Sequence, residues 1–490
     1  MKYVLAIDQS TSGTKGTVWS QEGALIARCD LPHRQITNAQ GWIEHDPDEI
    51  LKNTIEVCRM ATQKAGISPG DIRAVGISNQ RETIAAWDKV TGKPVYNAIV
   101  WQCGRAADIT ERLSEHADLI RKRTGLKLSP FFSAAKYAWI LKNVPLASEL
   151  ASQNRLCLGT IDSWLVYKLT REHAFKTDYS NASRTQLLNL DTLAWDAEIA
   201  GLFGIKPDML PEICPSDSVF GMTDMGGLLT SPVPICAVLG DSHASLYAHG
   251  CHQPMTAKAT FGTGTSVMMN VGDSRPVHMS DGVVESLAWG IDGRVSYVLE
   301  GNINYSGAII KWMADKVNLI GSSRESGELA VSVEDTNGVY LVPAFSGLGA
   351  PYWRNDVRAI ICGMNANTSR AHIVRAGLEA ISYQIRDVVE ELDAAVGSPL
   401  KRLCVDGGAT SNEFLMHFTA DQLMLPLSIS RVEELSAAGV AYLALISSGC
   451  ASKEDIFKRT VHDDVQPAND EQLRARRYNG WKDAVGILLK

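Results

Sequence analysis

One pattern occurs twice in this chain and restricts its fold more than any other feature: an apolar strand, a turn of Ser, Thr and Gly, then a second strand. The first copy is Val4-Leu-Ala-Ile-Asp-Gln-Ser-Thr-Ser-Gly-Thr-Lys-Gly-Thr-Val18, and the second is Lys258-Ala-Thr-Phe-Gly-Thr-Gly-Thr-Ser-Val-Met-Met-Asn270. Apolar runs rich in β-formers, bounded by small polar residues, read as strands joined by turns. Ala24 to Cys29 continues the first copy as a third strand, and Val295 to Leu299 supplies the next strand after the second. Each half of the chain therefore opens as a β-meander, and the halves are expected to be structurally related. At 490 residues the chain is too long for one domain. The expected division is 1–250 and 251–490, with no Pro/Ser-rich linker and the two halves meeting across a cleft.

Between these landmarks the periodicity alternates. Asp46 to Ala65 has helical spacing, with Ile50, Leu51, Ile55, Val57, Cys58 and Ala61 on one side. Ala74 to Ile77 is a buried strand running into Asn79-Gln80-Arg81-Glu82, and Pro234 to Leu239 is another, ending at Gly240-Asp241 before a helical Ser245 to Gly250. Ile373 to Ala395 reads as a long helix. Leu403-Cys-Val405 is a short strand ending in Asp406-Gly407-Gly408-Ala409, with a helix expected from about Ser411-Asn412.

Composition narrows the function. The formal net charge of −8 argues against a dedicated nucleic-acid binder. The ten cysteines form no CxxC pair and no metal-ligand spacing with histidine, as in a chain kept reduced. The first residues, MKYVLAIDQST, contain an apolar run too short for a signal peptide, and no stretch approaches a membrane span. The expectation is a cytoplasmic protein that binds neither membrane nor nucleic acid.

Five short constellations carry chemistry. Asp8, Thr11, Ser12, Gly13 and Lys15 form a hairpin turn whose N–H and hydroxyl groups suit a phosphate, with a carboxylate suited to hydrated Mg²⁺. Gly262-Thr263-Gly264-Thr265 is a second such turn, and it fits neither the dinucleotide nor the P-loop pattern. Asp406-Gly407-Gly408-Ala409 lets backbone approach a flat ligand such as a base or ribose. Arg81 and Glu82 pair a fork of donors with an acceptor, which suits a vicinal diol. Asp241, at the end of an apolar strand, is either a helix N-cap or a catalytic base. Each alone is also what an ordinary turn or surface pair presents. Three turns after three strands, in this order, are not expected by accident.

Taken together, these residues resemble the FGGY carbohydrate kinases, of the sugar kinase, actin and heat-shock ATPase superfamily. The resemblance runs from Ile7-Asp8-Gln9 to Tyr478-Asn-Gly-Trp481. Its most specific parts are Gly76-Ile-Ser-Asn-Gln-Arg-Glu-Thr83, Asn97-Ala-Ile-Val-Trp-Gln-Cys103, Thr177-Asp-Tyr-Ser-Asn-Ala-Ser-Arg-Thr185 and Gly338 to Trp353. One family signature is matched from Phe131 through Ser133, Lys136, Trp139 and Asn143, and another from Ala359 to Glu379, with Gly377 where a larger residue is usual. The resemblance implies an α/β chain of two actin-like (ribonuclease H-like) domains, each a central mixed sheet flanked by helices, with the active site in the interdomain cleft. It implies an ATP- and Mg²⁺-dependent phosphotransferase acting on a hydroxyl of a small polyol or sugar, working as a homodimer or homotetramer. Asp241 matches the catalytic base, and Asp8 and Asp241 the carboxylates near the metal. Asp8, Thr11, Ser12, Gly13, Lys15 and Thr263 match the phosphate-binding positions. Gly307, Lys311, Gly408 and Asn412 match positions lining the nucleotide, and Arg81, Glu82 and Trp101 the polyol site.

The chain departs from the family's glycerol-phosphorylating branch at three acceptor positions. Phe131 stands where a Tyr is expected, Ser242 where a Gln is, and Ser266 where a Phe is. Lys15 replaces an Arg, keeping the charge but not the fork. Lost hydrogen-bond partners and smaller side chains predict an acceptor larger than glycerol, of about four to six carbons. The alternative is glycerol itself, forming glycerol 3-phosphate, and a more distant one is a non-kinase ATPase of the same superfamily.

Overall fold

The computed structural model describes residues 1–276, 278, 280–460, 462–468 and 470–490. The opening repeat forms as a hairpin. Strands Tyr3–Gln9 and Gly13–Ser20 pair antiparallel, with Asp8 opposite Lys15. Leu25–Pro32 adds antiparallel to the second strand. On the other side Tyr3–Gln9 pairs parallel with Ile72–Asn79, which pairs parallel with Val233–Gly240. Gly221–Thr223 closes that edge antiparallel. The central strands are buried on both faces, which is why their sequences read as continuous apolar runs.

Register lines up the functional end of this sheet. Asp8 is opposite Ser78, Ser78 is opposite Leu239, and Asn79 is opposite Gly240. Three parallel strands thus finish at one edge, delivering Asp8, Arg81-Glu82 and Asp241 to the carboxyl ends where α/β sheets hold their ligands.

The chain packs as two units. The first comprises Met1–Gly250, Glu285–Tyr297 and Val432–Thr460, and the second Cys251–Val284, Val298–Arg431 and the segment after Thr460. In the first, helix Pro47–Ala65 covers one sheet face. Asp46 caps it by accepting from the Asp48 and Glu49 N–H groups, and Gly66 ends it at φ 64°. Such an N-cap stabilises a helix by about 1 kcal/mol. Helix Leu435–Ser447 lies against the same three parallel strands and helix Asp241–Ala248. It is rich in Ala and buried on nearly every side. Its approach is at backbone range: a methyl on Gly76 would meet the Val440 carbonyl at 2.5 Å, and one on Gly439 the Ala244 carbonyl at 2.0 Å. A smaller sheet in this unit orders Ile36–Thr37, Ile43–His45, Ala98–Ile99, Ile84–Asp88 and Leu156–Thr160.

The second unit repeats the design. Thr256–Phe261 and Thr265–Gly272 form an antiparallel hairpin, the first strand pairs parallel with Arg402–Asp406, and that strand pairs parallel with Leu427–Ser430. The part of strand Arg294–Ile303 that belongs to this unit, from Val298 onward, flanks the hairpin as Leu25–Pro32 does in the first unit. Helix Arg370–Val396 runs 27 residues across this unit and buries Val374, Leu378, Ile381, Ile385 and Val388 in the core. Gly377 lies where that helix presses on helix Gly307–Asp315, and a methyl there would be 3.1 Å from the Met313 sulfur. The family signature's larger residue is therefore replaced at a tight helix crossing.

No helix among the described residues is long and apolar enough to cross a membrane.

Candidate active site

The first turn is built around Thr11. Ser10 closes it, its N–H and hydroxyl both donating to the Gly13 carbonyl at 2.9 Å. The Thr11 carbonyl accepts from Gln35 Nε2 at 2.6 Å and lies 2.9 Å from His33 Nε2. Its hydroxyl accepts from the Trp101 indole N–H at 2.9 Å. A residue expected at the phosphates and one expected at the polyol are therefore in direct contact. Trp101 also meets Phe131 edge-on, with centroids 5.3 Å apart.

Behind the turn, Lys15 Nζ lies 3.4 Å from Asp8 and 2.6 Å from Glu434, which Arg28 also contacts. Burial alone would lower the Lys15 pKa, but the Asp8 and Glu434 carboxylates overcome this and raise it. Asp8 is 5% exposed. Burial pushes its carboxyl up to about 6 against the pull of Lys15, with Asp241 and Glu434 adding to the rise. Crowded carboxylates at a sheet edge fit a divalent cation, whose charge would offset both their burial and their mutual repulsion.

Asp241 is the first residue of helix Asp241–Ala248, and Gly240, not Asp241, occupies the N-cap. The carboxylate accepts from the Ser242 N–H at 2.7 Å and lies 3.3 Å from Arg81 Nε. Glu82 is buried with φ 62°, a left-handed conformation unusual for a non-glycine residue. Arg184 Nε donates to its carboxylate at 2.6 Å, and the Ser133 hydroxyl donates to its carbonyl at 3.1 Å. Lys136, fully buried, donates to the carbonyls of Pro130, Phe131 and Phe132, which fixes the loop carrying Phe131. Burial pushes the Lys136 pKa down to about 7.

The remaining predicted residues belong to the second unit. The Gly262–Gly264 turn is tied to the start of helix Gly307–Asp315: Ser306 and Ala308 N–H donate to the Thr263 carbonyl, and Gly307 N–H to the Gly262 carbonyl. Ser266, on the second strand of the hairpin, donates to Glu300 of the flanking strand Arg294–Ile303 at 2.9 Å. Thr263, Gly307, Lys311, Gly408 and Asn412 all line one cavity of about 970 Å³ with Phe261. Asn412 caps helix Glu413–Leu423 through the Leu415 N–H and donates to Ser326 at 3.3 Å. Gly407 has φ 99°, and a methyl on it would be 2.3 Å from the Phe261 carbonyl, while a methyl on Gly408 would meet nothing within 4 Å. The volume, the glycine wall and the lysine fit a nucleotide.

Sequence reasoning missed two partners. Arg184 carried a signal, since it lies in the Thr177–Thr185 block, but no role was assigned to it. Glu434 carried none before the fold was known.

Matches to known proteins agree with this geometry. The N-terminal domain model of the FGGY family of carbohydrate kinases matches residues 3–248, and the C-terminal domain model of the same family matches residues 257–448. Glycerol kinase 1 of Thermotoga maritima is 46% identical over 99% of both chains, and glycerol kinase of Caldanaerobacter subterraneus is 46% identical over 100% of this chain and 99% of its own. The crystal structure of Plasmodium falciparum glycerol kinase with ADP superposes with a TM-score of 0.95 at 33% identity, over 100% of this chain and 99% of that one. Xylulose kinase from Lactobacillus acidophilus shares the fold, with a TM-score of 0.87 at 21% identity over 99% of both chains. With both domain models matched in order over most of its length, the chain belongs to the FGGY family of carbohydrate kinases.

Proposed function

We propose that this kinase transfers the γ-phosphoryl group of ATP to a hydroxyl of glycerol. The observation that carries the reading is the Arg81–Asp241 pair beside the buried Glu82: a fork of donors and two carboxylates at one sheet edge. Full-length relatives at 46% identity named glycerol kinase support glycerol over the larger acceptor expected from Phe131, Ser242 and Ser266. In this reading Arg81 and Glu82 bind the hydroxyls, and Trp101 with Phe131 covers the carbon chain. Asp241 accepts the proton of the attacking hydroxyl as phosphoryl transfer proceeds. Asp8 and Asp241 would hold Mg²⁺, which supplies charge neutralisation at the phosphates. Lys15 and the two turns bind phosphate oxygens, and the cavity at Gly408 and Asn412 takes the nucleoside.

A four- to six-carbon acceptor, about one to three carbons longer, is a second reading. Phe131 favours it: a hydrocarbon edge meets Trp101 where a hydroxyl would favour the smaller triol.

The test is ADP release with Mg-ATP across glycerol, erythritol, arabitol, ribitol, xylitol, xylulose, ribulose, fructose and gluconate, with Asp241→Ala as control. Glycerol giving the highest kcat/KM, lost in the variant, supports the first reading. A longer acceptor winning moves the conclusion to the second. Equal ATP hydrolysis by parent and variant, with no acceptor used, would refute both.

A further inference from the structure

The block Asp178–Arg184 has no part in the chemistry above, yet it touches both ends of the acceptor constellation. Asp178 caps the short helix Tyr179–Ala182, accepting from the Ser180 and Asn181 N–H groups, and it is fully buried. It also receives the hydroxyls of Ser180 at 2.9 Å and Ser216 at 2.7 Å. With its proton committed to Asp178, the Ser180 oxygen is oriented to accept, and it does so from the Gly240 N–H at 2.9 Å. Gly240 immediately precedes Asp241. The Asn181 side chain pairs reciprocally with Asn79, at 2.9 and 3.0 Å, just before Arg81. Arg184 then holds Glu82, with both side chains almost wholly out of solvent.

Glu82 needs such a partner. Its left-handed backbone is costly for a non-glycine residue and persists only where its surroundings over-determine it. A buried carboxylate without a cation would also bear its desolvation uncompensated. Arg184 holds one carboxylate oxygen, Oε1.

We propose that Asp178–Arg184 is a positioning element for the acceptor end of the site. Arg184 is the positioning residue for Glu82, and Ser180 is the positioning residue for Gly240 and, through it, Asp241. This rests on the reading of Arg81, Glu82 and Asp241 as acceptor-site residues.

Because the two contacts serve different groups, they separate in kinetics. Glu82 is read as binding the acceptor in the ground state, so disturbing Arg184 raises the acceptor KM. Asp241 is read as acting on the proton in transit, so disturbing Ser180 lowers kcat. None of Glu82, Ser180, Arg184 and Gly240 is among the residues lining the cavity at Gly408 and Asn412.

The experiment is steady-state phosphorylation by the full chain and its Arg184→Met, Arg184→Lys and Ser180→Ala variants, with acceptor and ATP varied separately and folding followed by thermal melting. The expected result is a loss of about 100-fold in acceptor kcat/KM for Arg184→Met, the scale of a 1 Å misplacement. It falls mainly on the acceptor KM, with the KM for ATP unchanged and Arg184→Lys intermediate. Ser180→Ala loses kcat at an unchanged acceptor KM. If Arg184→Met does not fold, Arg184→Lys decides. Arginine variants that melt lower but keep the parental acceptor KM overturn the proposal and leave the acceptor reading standing. A parent that phosphorylates no acceptor overturns that reading, and this proposal with it.

Discussion

Lys15 and Glu434 are 419 residues apart in the chain, and their charged ends meet at 2.6 Å. The lysine of the first turn is thus set by a carboxylate from the start of helix Leu435–Ser447, where Glu434 itself has φ 55°. A charge-assisted contact to phosphate contributes about 2 kcal/mol, a factor of about 30. Lys15→Met should lower kcat/KM for ATP by that factor. Glu434→Gln should lower it less, by releasing the lysine from its place. Initial rates at saturating acceptor check both.

Gly407 and Gly408 should respond oppositely to the same methyl. Gly407→Ala forces φ 99° on a residue with a Cβ and drives that carbon against the Phe261 carbonyl. It should cost at least about 2 kcal/mol of stability, read as a lower melting temperature. Gly408→Ala meets no atom within 4 Å and should melt like the parent, but it narrows the cavity and should weaken binding of a fluorescent ATP analogue.

Asp162 gives a pH dependence whose sign can be worked out. Burial, with Asp178 adding, pushes its carboxyl up to about 7, and the Thr160 and Thr177 hydroxyls donate to it. Below the unfolded value of 3.8 both states are protonated and its contribution is complete. As pH rises the unfolded chain ionises first, and stability is lost until the folded carboxyl ionises near 7. The shift amounts to on the order of 4 kcal/mol. Asp162→Asn, compared with the parent in chemical denaturation from acidic to mildly alkaline pH, should gain relative stability across that window. A constant difference between the two would refute the assignment.

Lys136→Met should separate loop placement from chemistry. It removes the donor shared by the Pro130, Phe131 and Phe132 carbonyls, leaving buried acceptors at a cost of about 1–3 kcal/mol each. Phe131 moves with that loop, so the acceptor KM should rise while the KM for ATP holds. Titrating each substrate separately reads this out.

The strands were legible because their periodicity is local. Tyr3 to Ile7 was expected and Tyr3–Gln9 is observed; Pro234 to Leu239 was expected and Val233–Gly240 is observed. The helix after Gly240 was placed at Ser245 to Gly250, but it begins at Asp241. Its first turn, Asp-Ser-His, has no apolar period to announce it, and the extended residue that caps it is a glycine without a side chain to signal capping. Asp241 could therefore be read as a cap or a base, and the cap is now excluded. Arg81 with Asp241 followed from two strand ends brought into register by an apolar strand pairing. Glu434 could not be foreseen, because an ion pair spanning most of the chain leaves no periodic trace at either end. Arg184 lay between these cases: the block was visible, but its partner depended on a left-handed backbone at Glu82 that a Glu codes for only under constraint.

Helix Leu435–Ser447 covers strands whose own residues all precede position 250, with its backbone against Gly76 and Gly439 against Ala244. During translation the first unit's sheet is therefore made long before its cover. The apolar face of Tyr3–Gln9, Ile72–Asn79 and Val233–Gly240 must wait, shielded by something else, while the next two hundred residues emerge. Synthesis order thus leaves the first unit incomplete until Val432–Thr460 has been made, and Lys15 acquires Glu434 only then.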